Sequence, residues 1–175
     1  ANMNLRVIRV DKNGLPKEDS PFKTYNFQKL IDIEEWEESH PYLEIYNKRF
    51  LFVVFKEVAP KEFVLDNIKF WGFPDRQLDE VQRVWQETRQ ILKDGVQLTQ
   101  NGNRISTNFP QSKVNQVLFT KIHAQNTLYE LKPREFVGKG KLSDTDVLPD
   151  GRHITKHSFW MPKKFLKEVL EGKWD

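Results

Sequence analysis

The sequence predicts a single domain of mixed α/β (α+β) class, a β-sheet flanked by helices. Three observations carry this. Arg49 to Phe55, RFLFVVF, is an unbroken apolar run rich in β-branched and aromatic residues, too short for a helix and suited to a strand buried on both faces at the centre of a sheet. Leu78, Val81, Trp85, Thr88 and Leu92 recur at helical spacing, and Gly95 stands where a left-handed cap belongs. The 175 residues, 38% of them hydrophobic and five of them Trp, suffice to enclose one substantial core.

The remaining elements follow in order. Leu5, Val7 and Val10 mark an opening strand that stops at Asp11-Lys12-Asn13-Gly14, where Asn and Gly tolerate the positive φ of a turn. Asn26 caps an amphipathic helix carrying Phe27, Leu30, Ile31 and Trp36 as far as Ser39, and His40-Pro41 ends it. Phe63 to Phe73 supplies a strand that forms a hairpin with the previous one, bends at Asp66-Asn67 and closes at Pro74. Thr99 to Asn108 is polar and contains glycine, Val114 to Ile122 reads as a strand, and Gln125 to Asp150 reads as a long loop of Pro, Gly and charge. Ile154 to Met161 is a last strand, and Pro162 opens a helix at its first position with Phe165, Leu166, Val169 and Leu170 on one face.

Composition excludes several classes of function. Without cysteine there is neither a disulfide nor a thiolate zinc site, and a reducing cytoplasm is the expected setting. No apolar run approaches the roughly 20 residues that cross a bilayer, so no membrane partner is expected. The net charge of +3 is unevenly spread: Arg104 to Lys164 holds eleven Lys/Arg against five Asp/Glu, whereas residues 1 to 103 hold fifteen against seventeen. Three of the four histidines, His123, His153 and His157, share the basic stretch, where nearby phosphate would raise their charged fraction. A polyanion partner fits this distribution, and so does an ordinary solvated lysine face.

Chemistry-bearing patterns are few. Magnesium nucleases commonly place an Asp and a Glu-x-Lys on adjacent strands, so that two carboxylates hold the metal while the lysine helps activate water. Glu130-Leu131-Lys132 matches the tripeptide but sits beside Pro133 in a loop-like region, and Glu171-Gly172-Lys173 lies at a helix end. The histidines have no acidic companion at metal-ligand spacing. Lys156, His157, Trp160, Lys163 and Lys164 place cations around an aromatic residue where a strand meets a helix whose amides suit phosphate. Phe159 and Trp160 face opposite ways on a strand, so one of them belongs to the core.

Six stretches in one order give a resemblance: NLRVIRV (Asn4 to Val10), EEWEES (Glu34 to Ser39), RFLFVVFKE (Arg49 to Glu57), IKFWGFP (Ile68 to Pro74), VQRVWQETRQILKDGV (Val81 to Val96) and KHSFWMPKKFL (Lys156 to Leu166). Together they resemble the MutH and Sau-three-A family of GATC type II restriction endonucleases, and within it the C-terminal, non-catalytic half of a two-domain member. The resemblance implies a restriction-endonuclease-like mixed sheet flanked by helices, with two arms forming a DNA cleft. In active members the opening strand carries the Glu-x-Lys of the magnesium site, with an Asp slightly upstream. Here those positions fall on Asn4 and Arg6, and only Ala1 to Met3 precede them. Asn4 supplies no anionic ligand and Arg6 accepts no proton near neutrality. A further family lysine matches Lys48. The base-reading strand-to-loop region matches Lys121, Ile122, His123, Ala124, Gln125 and Asn126, and an aromatic position before the last helix matches Trp160.

The resulting expectation is one DNA-binding domain over residues 1 to 175, the C-terminal effector domain of a longer restriction endonuclease, binding double-stranded DNA at GATC without cutting it. Arg104, Lys121, His123, Lys156, Lys163 and Lys164 hold phosphates, with His157, Gln125 and Asn126 beside them, while Trp160 and loop residues sense the site. The domain binds no cofactor, magnesium belongs to the parent enzyme, and a catalytic N-terminal domain of the same protein is the protein partner. Two alternatives stand beside this: a nuclease using Glu34, Glu44 or Glu130 with Lys48, and a domain that only docks on its catalytic half through apolar surface around Trp71 and Phe73.

Overall fold

The computed structural model describes residues 3–175. In chain order its elements are β1 (Met3–Val10), β2 (Ser20–Thr24), α1 (Phe27–Asp32), β3 (Arg49–Ala59), β4 (Glu62–Gly72), α2 (Leu78–Asp94), β5 (Leu98–Asn101), β6 (Arg104–Thr107), β7 (Phe119–Ile122), β8 (Tyr129–Lys132), β9 (Glu135–Val137), β10 (Thr145–Val147), β11 (His153–Thr155), β12 (His157–Met161) and α3 (Lys163–Leu170). The α+β class is as the sequence predicts. The single flanked sheet is not: the strands form four small sheets, ordered β1-β3-β4, β10-β11-β8-β9, β2-β12-β7 and β5-β6.

The apolar run Arg49 to Phe55 lies at the centre of the first sheet, parallel to β1 and antiparallel to β4. Its burial alternates instead of extending over both faces: Phe50, Phe52 and Val54 point into the core, whereas Leu51, Val53 and Phe55 are half-buried on the outer face. The expected bend at Asp66 is a bulge. Val54 pairs with Asn67 and Phe55 with Leu65, leaving Asp66 as the extra residue. Asp11 closes β1 by accepting the amides of Asn13 and Leu15 at 2.8 and 3.0 Å. Trp71 and Phe73 pack on Phe165 inside the molecule, which corrects the expectation of an apolar docking surface around them.

Helix α2 buries Val81, Val84, Trp85, Thr88 and Leu92, as its periodicity requires. Its Arg89 is buried too. The guanidinium donates to the carbonyls of Leu30 and Ile31 at 2.9 and 2.8 Å, satisfying groups that the end of a helix leaves without partners. That tie meets the end of α1, which stops at Asp32 rather than continuing to Ser39. The chain extends at Ile33, and Trp36 opens a single 3₁₀ turn that sets its ring 5.4 Å from that of Trp85. His40-Pro41 then leads into a π-helical turn, Tyr42–Tyr46.

The second half is more ordered than the sequence predicts. Thr99 to Asn108 contains most of the β5-β6 hairpin, and only Phe119–Ile122 of the expected 114–122 strand is extended. The segment read as a loop from Gln125 to Asp150 holds β8, β9 and β10, so Glu130-Leu131-Lys132 is strand. The last strand is split at Lys156, where the chain passes from the β11 sheet to the β12 sheet. Pro162 caps α3 and lies just outside its first turn. Among the described residues no helix is long and apolar enough to cross a membrane.

Candidate nucleic-acid interface

The site is assembled where β12 pairs with β7. Ser158 faces Lys121, Phe159 faces Thr120 and Trp160 faces Phe119. Phe159 enters the core, so Trp160 on the opposite parity points outward. Its indole N–H donates to the Lys121 carbonyl at 3.3 Å, and the Lys121 ammonium lies 4.5 Å from its ring centroid. The His123 ring is 5.4 Å from the same indole, and the His123 amide donates to the Lys156 carbonyl at 2.7 Å. At the start of α3 the Lys163 amide donates to Asp19 at 2.9 Å, and the other Asp19 oxygen lies 3.6 Å from the Lys121 ammonium. The Lys121 and His123 side chains therefore meet Trp160, the backbone of Lys156 and Lys163 is tied to the same strands, and Lys163 and Lys164 are exposed at the start of α3. Gln125 and Asn126 are exposed in the β7-to-β8 connection.

Arg104 lines a groove of about 750 Å³ together with Asn101, Asn103, Lys121 and Thr127, so Lys121 is the member of the cluster that borders it. The hairpin was missed by sequence reasoning although Asn101-Gly102-Asn103 carries its signal, Gly102 adopting φ +63° at the turn. The far wall is tightly built: a Cβ on Gly138, whose φ is +122°, would fall 2.1 Å from the Thr127 carbonyl oxygen. Asp19 also escaped the sequence reading, because 102 positions separate it from Lys121 and only the β2-β12-β7 sheet brings them together.

His157 does not belong to the exposed set. It is 2% exposed on the parity of Phe159, with its ring 5.0 Å from Phe109 and 5.8 Å from Phe27. Its Nδ1–H donates to the Thr155 carbonyl at 2.6 Å. Burial lowers its pKa to about 4, so the neutral imidazole is a core group and the expected phosphate contact is corrected. Ser158, on the parity of Trp160, is buried as well, so strand alternation alone does not separate His157 from Trp160.

Asn4 and Arg6, the positions that the resemblance assigns to a metal site, do not fit magnesium. Asn4 offers a neutral amide on β1. The Arg6 guanidinium donates to Ser20 Oγ at 3.1 Å and to the Pro21 carbonyl, and sits 4.7 Å from the Phe22 ring centroid. This is a tie between β1 and β2, with a cation where a metal would need an anion. The stretch before Met3 lies outside the described residues. The alternative carboxylates do not converge either. Glu44 pairs with Lys23 at 3.3 Å, Glu34 is exposed, and Glu130 spends both oxygens on the amides of His153 and Arg134 at 2.9 Å. Those two amides hold its carboxyl below the ordinary pKa. Among the described residues no three His, Cys, Asp or Glu side chains group as metal ligands, and Lys48, half-buried before β3, has no such cluster to serve.

No family model matches the chain. A curated relative does, and the chain spans 38% of that relative's length. Over 95% of its own length this chain is related, at 28% identity, to the type II restriction enzyme Sau3AI of Staphylococcus aureus.

Proposed function

We propose that this chain is a DNA-binding effector domain of a longer type II restriction endonuclease, holding a GATC-containing duplex without cutting it. The observation that carries the reading is the placement of Lys121 and His123 against the half-buried Trp160 ring, with the backbone of Lys156 and Lys163 tied to the same strands and Arg104 sharing a groove with Lys121. Lysine and arginine supply the sequence-independent attraction to phosphate, and their count sets its salt dependence. Trp160, with one face held by Lys121 and an edge toward His123, is a rigid platform of the kind that senses a base or a sugar. The neighbouring Asn101, Asn103, Gln125 and Asn126 side chains offer the paired donor and acceptor that reads adenine. Similarity to a restriction enzyme supports a DNA partner, and Arg6 and Asn4 at the metal positions support binding without hydrolysis. Cleavage then belongs to a catalytic domain elsewhere in the parent, where magnesium would be held.

The test is duplex binding by fluorescence anisotropy, with and without GATC, across a salt series, with magnesium present and strand integrity followed on gels. The expected result is retention that falls steeply with salt and no cleavage. Lys121→Ala should weaken binding at every sequence and reduce the salt slope by about 0.9, the contribution of one phosphate contact. No retention at low salt would sink the reading in favour of a docking domain, and magnesium-dependent nicking would replace it with an enzyme.

A further inference from the structure

The outer face of the β1-β3-β4 sheet carries an interface that no part of the DNA-binding reading uses. Strand parity and register define it. Leu5, Leu51 and Phe70 form one row across the three strands, and Val7, Val53 and Ile68 form the next. Phe55 and Leu65 continue it beyond the Asp66 bulge. In an ordinary one-sided sheet these positions would be polar, since the inner face already supplies Ile8, Phe50, Phe52, Val54 and Trp71 to the core. Instead Phe70 is 67% exposed, Val7 62%, Leu5 61%, Leu65 57% and Ile68 53%. At roughly 100 Å² for each large exposed side chain, with smaller shares from Leu51, Val53 and Phe55, the patch amounts to on the order of 700 Å², above what a monomeric surface normally leaves to water.

We infer that this face binds the same face of a second copy of the chain, forming a symmetric sheet-on-sheet dimer. Area is the first argument. A patch on the order of 700 Å² on each copy approaches the ~800 Å² per partner of a stable interface. Shape is the second: two flat, regularly alternating sheets stack about 10 Å apart with their side chains interdigitated, and an identical face is automatically the right size and apolarity. Charge is the third. Arg9 and Arg49 stand at opposite ends of the face, Arg9 beside Glu18 at 3.7 Å and Arg49 laid flat over Gly72, within 3.1 Å of where a Cβ would stand. The two complete rows between them carry no charge, Asp66 lies at the bulge beyond these rows, and the long basic side chains can turn their heads outward at the rim.

Light scattering on the eluting 175-residue chain tests this at micromolar concentration in moderate and high salt. The expected mass is twice the 20.9 kDa of one chain, maintained at high salt because the contact is apolar. Phe70→Glu and Val7→Lys, both at exposed positions, should each return the single-chain mass with an unchanged circular dichroism spectrum. Neither should alter duplex binding, so this inference and the DNA reading fail separately. A single-chain mass for the unmodified protein overturns the dimer and assigns the face to a different polypeptide. A dimer that survives both substitutions overturns it as well.

Discussion

Acidification from pH 7 to pH 5 should remove stability through one buried imidazole. His157 is enclosed by Phe27 and Phe109, and burial holds its pKa at about 4 against an ordinary 6.5. Its hydrogen bond to the Thr155 carbonyl pulls the other way and loses to desolvation. For a base with a depressed folded pKa, the unfolded chain takes up the proton first. The stabilisation is therefore complete above about 6.5 and is lost progressively as pH falls toward 4. The full separation is worth about 3 kcal/mol, a large part of the ~5–15 kcal/mol that holds a domain folded, and about 2 kcal/mol of it should be gone by pH 5. His40, also depressed by burial, adds to the loss in the same direction. Glu130 and Asp150, whose carboxyls lie below their ordinary values, contribute only at lower pH. Urea unfolding at pH 7, 6 and 5 measures the effect, with His157→Gln as the comparison. A wild-type stability that is flat across this range, or an equally steep fall in His157→Gln, would refute the assignment of His157 as a neutral core group.

Two further substitutions probe the ties around the site. Arg6→Met should cost about 1–3 kcal/mol in denaturant unfolding by leaving Ser20 and the Pro21 carbonyl unpaired while keeping the apolar stem, with no gain of nuclease activity; an unchanged stability would mean the guanidinium is not a tie. Gly138→Ala should cost more than about 2 kcal/mol, since its Cβ would meet the Thr127 carbonyl in a backbone conformation that L residues avoid, and a melting temperature like that of the parent would contradict the packing of that wall.

What the sequence made legible was whatever a local period encodes. Helix α2 spans nearly five turns with one apolar stripe, and the β3-β4 hairpin holds eleven residues in each strand, so both are readable without knowing their partners. The strands of the second half have three to five residues each, too few for an alternation to stand out. Their pairing comes from distant segments, as when Thr155 Oγ1 both donates to the Leu128 carbonyl and accepts the Leu128 amide. β2 went unread for the same reason, being five residues with an internal proline. The carbonyls at the early end of α1 find their donor in Arg89, which is 57 positions beyond Asp32. At the site, residue type pointed to Lys121, His123, Trp160 and Lys163, but the burial of His157 depends on Phe27 and Phe109 from distant segments and Asp19 required topology.

Arg6 and Trp160 are joined through the framework of β1, β2 and β12. A carboxylate on β1 facing Ser20 and the Pro21 carbonyl would place a negative charge against two oxygens, a position that is stable only when a cation sits between them. Arg6 is that cation, covalently attached, and it fixes β1 to β2 with no ion bound. β2 pairs with β12, the strand that presents Trp160, and Asp19 immediately before β2 anchors the first amide of α3. Arg6 thus acts on the same framework that positions Lys121, Trp160 and Lys163. Replacing Arg6 with an acid would therefore set a half-buried negative charge against the Ser20 hydroxyl oxygen and the Pro21 carbonyl and loosen β1 from β2.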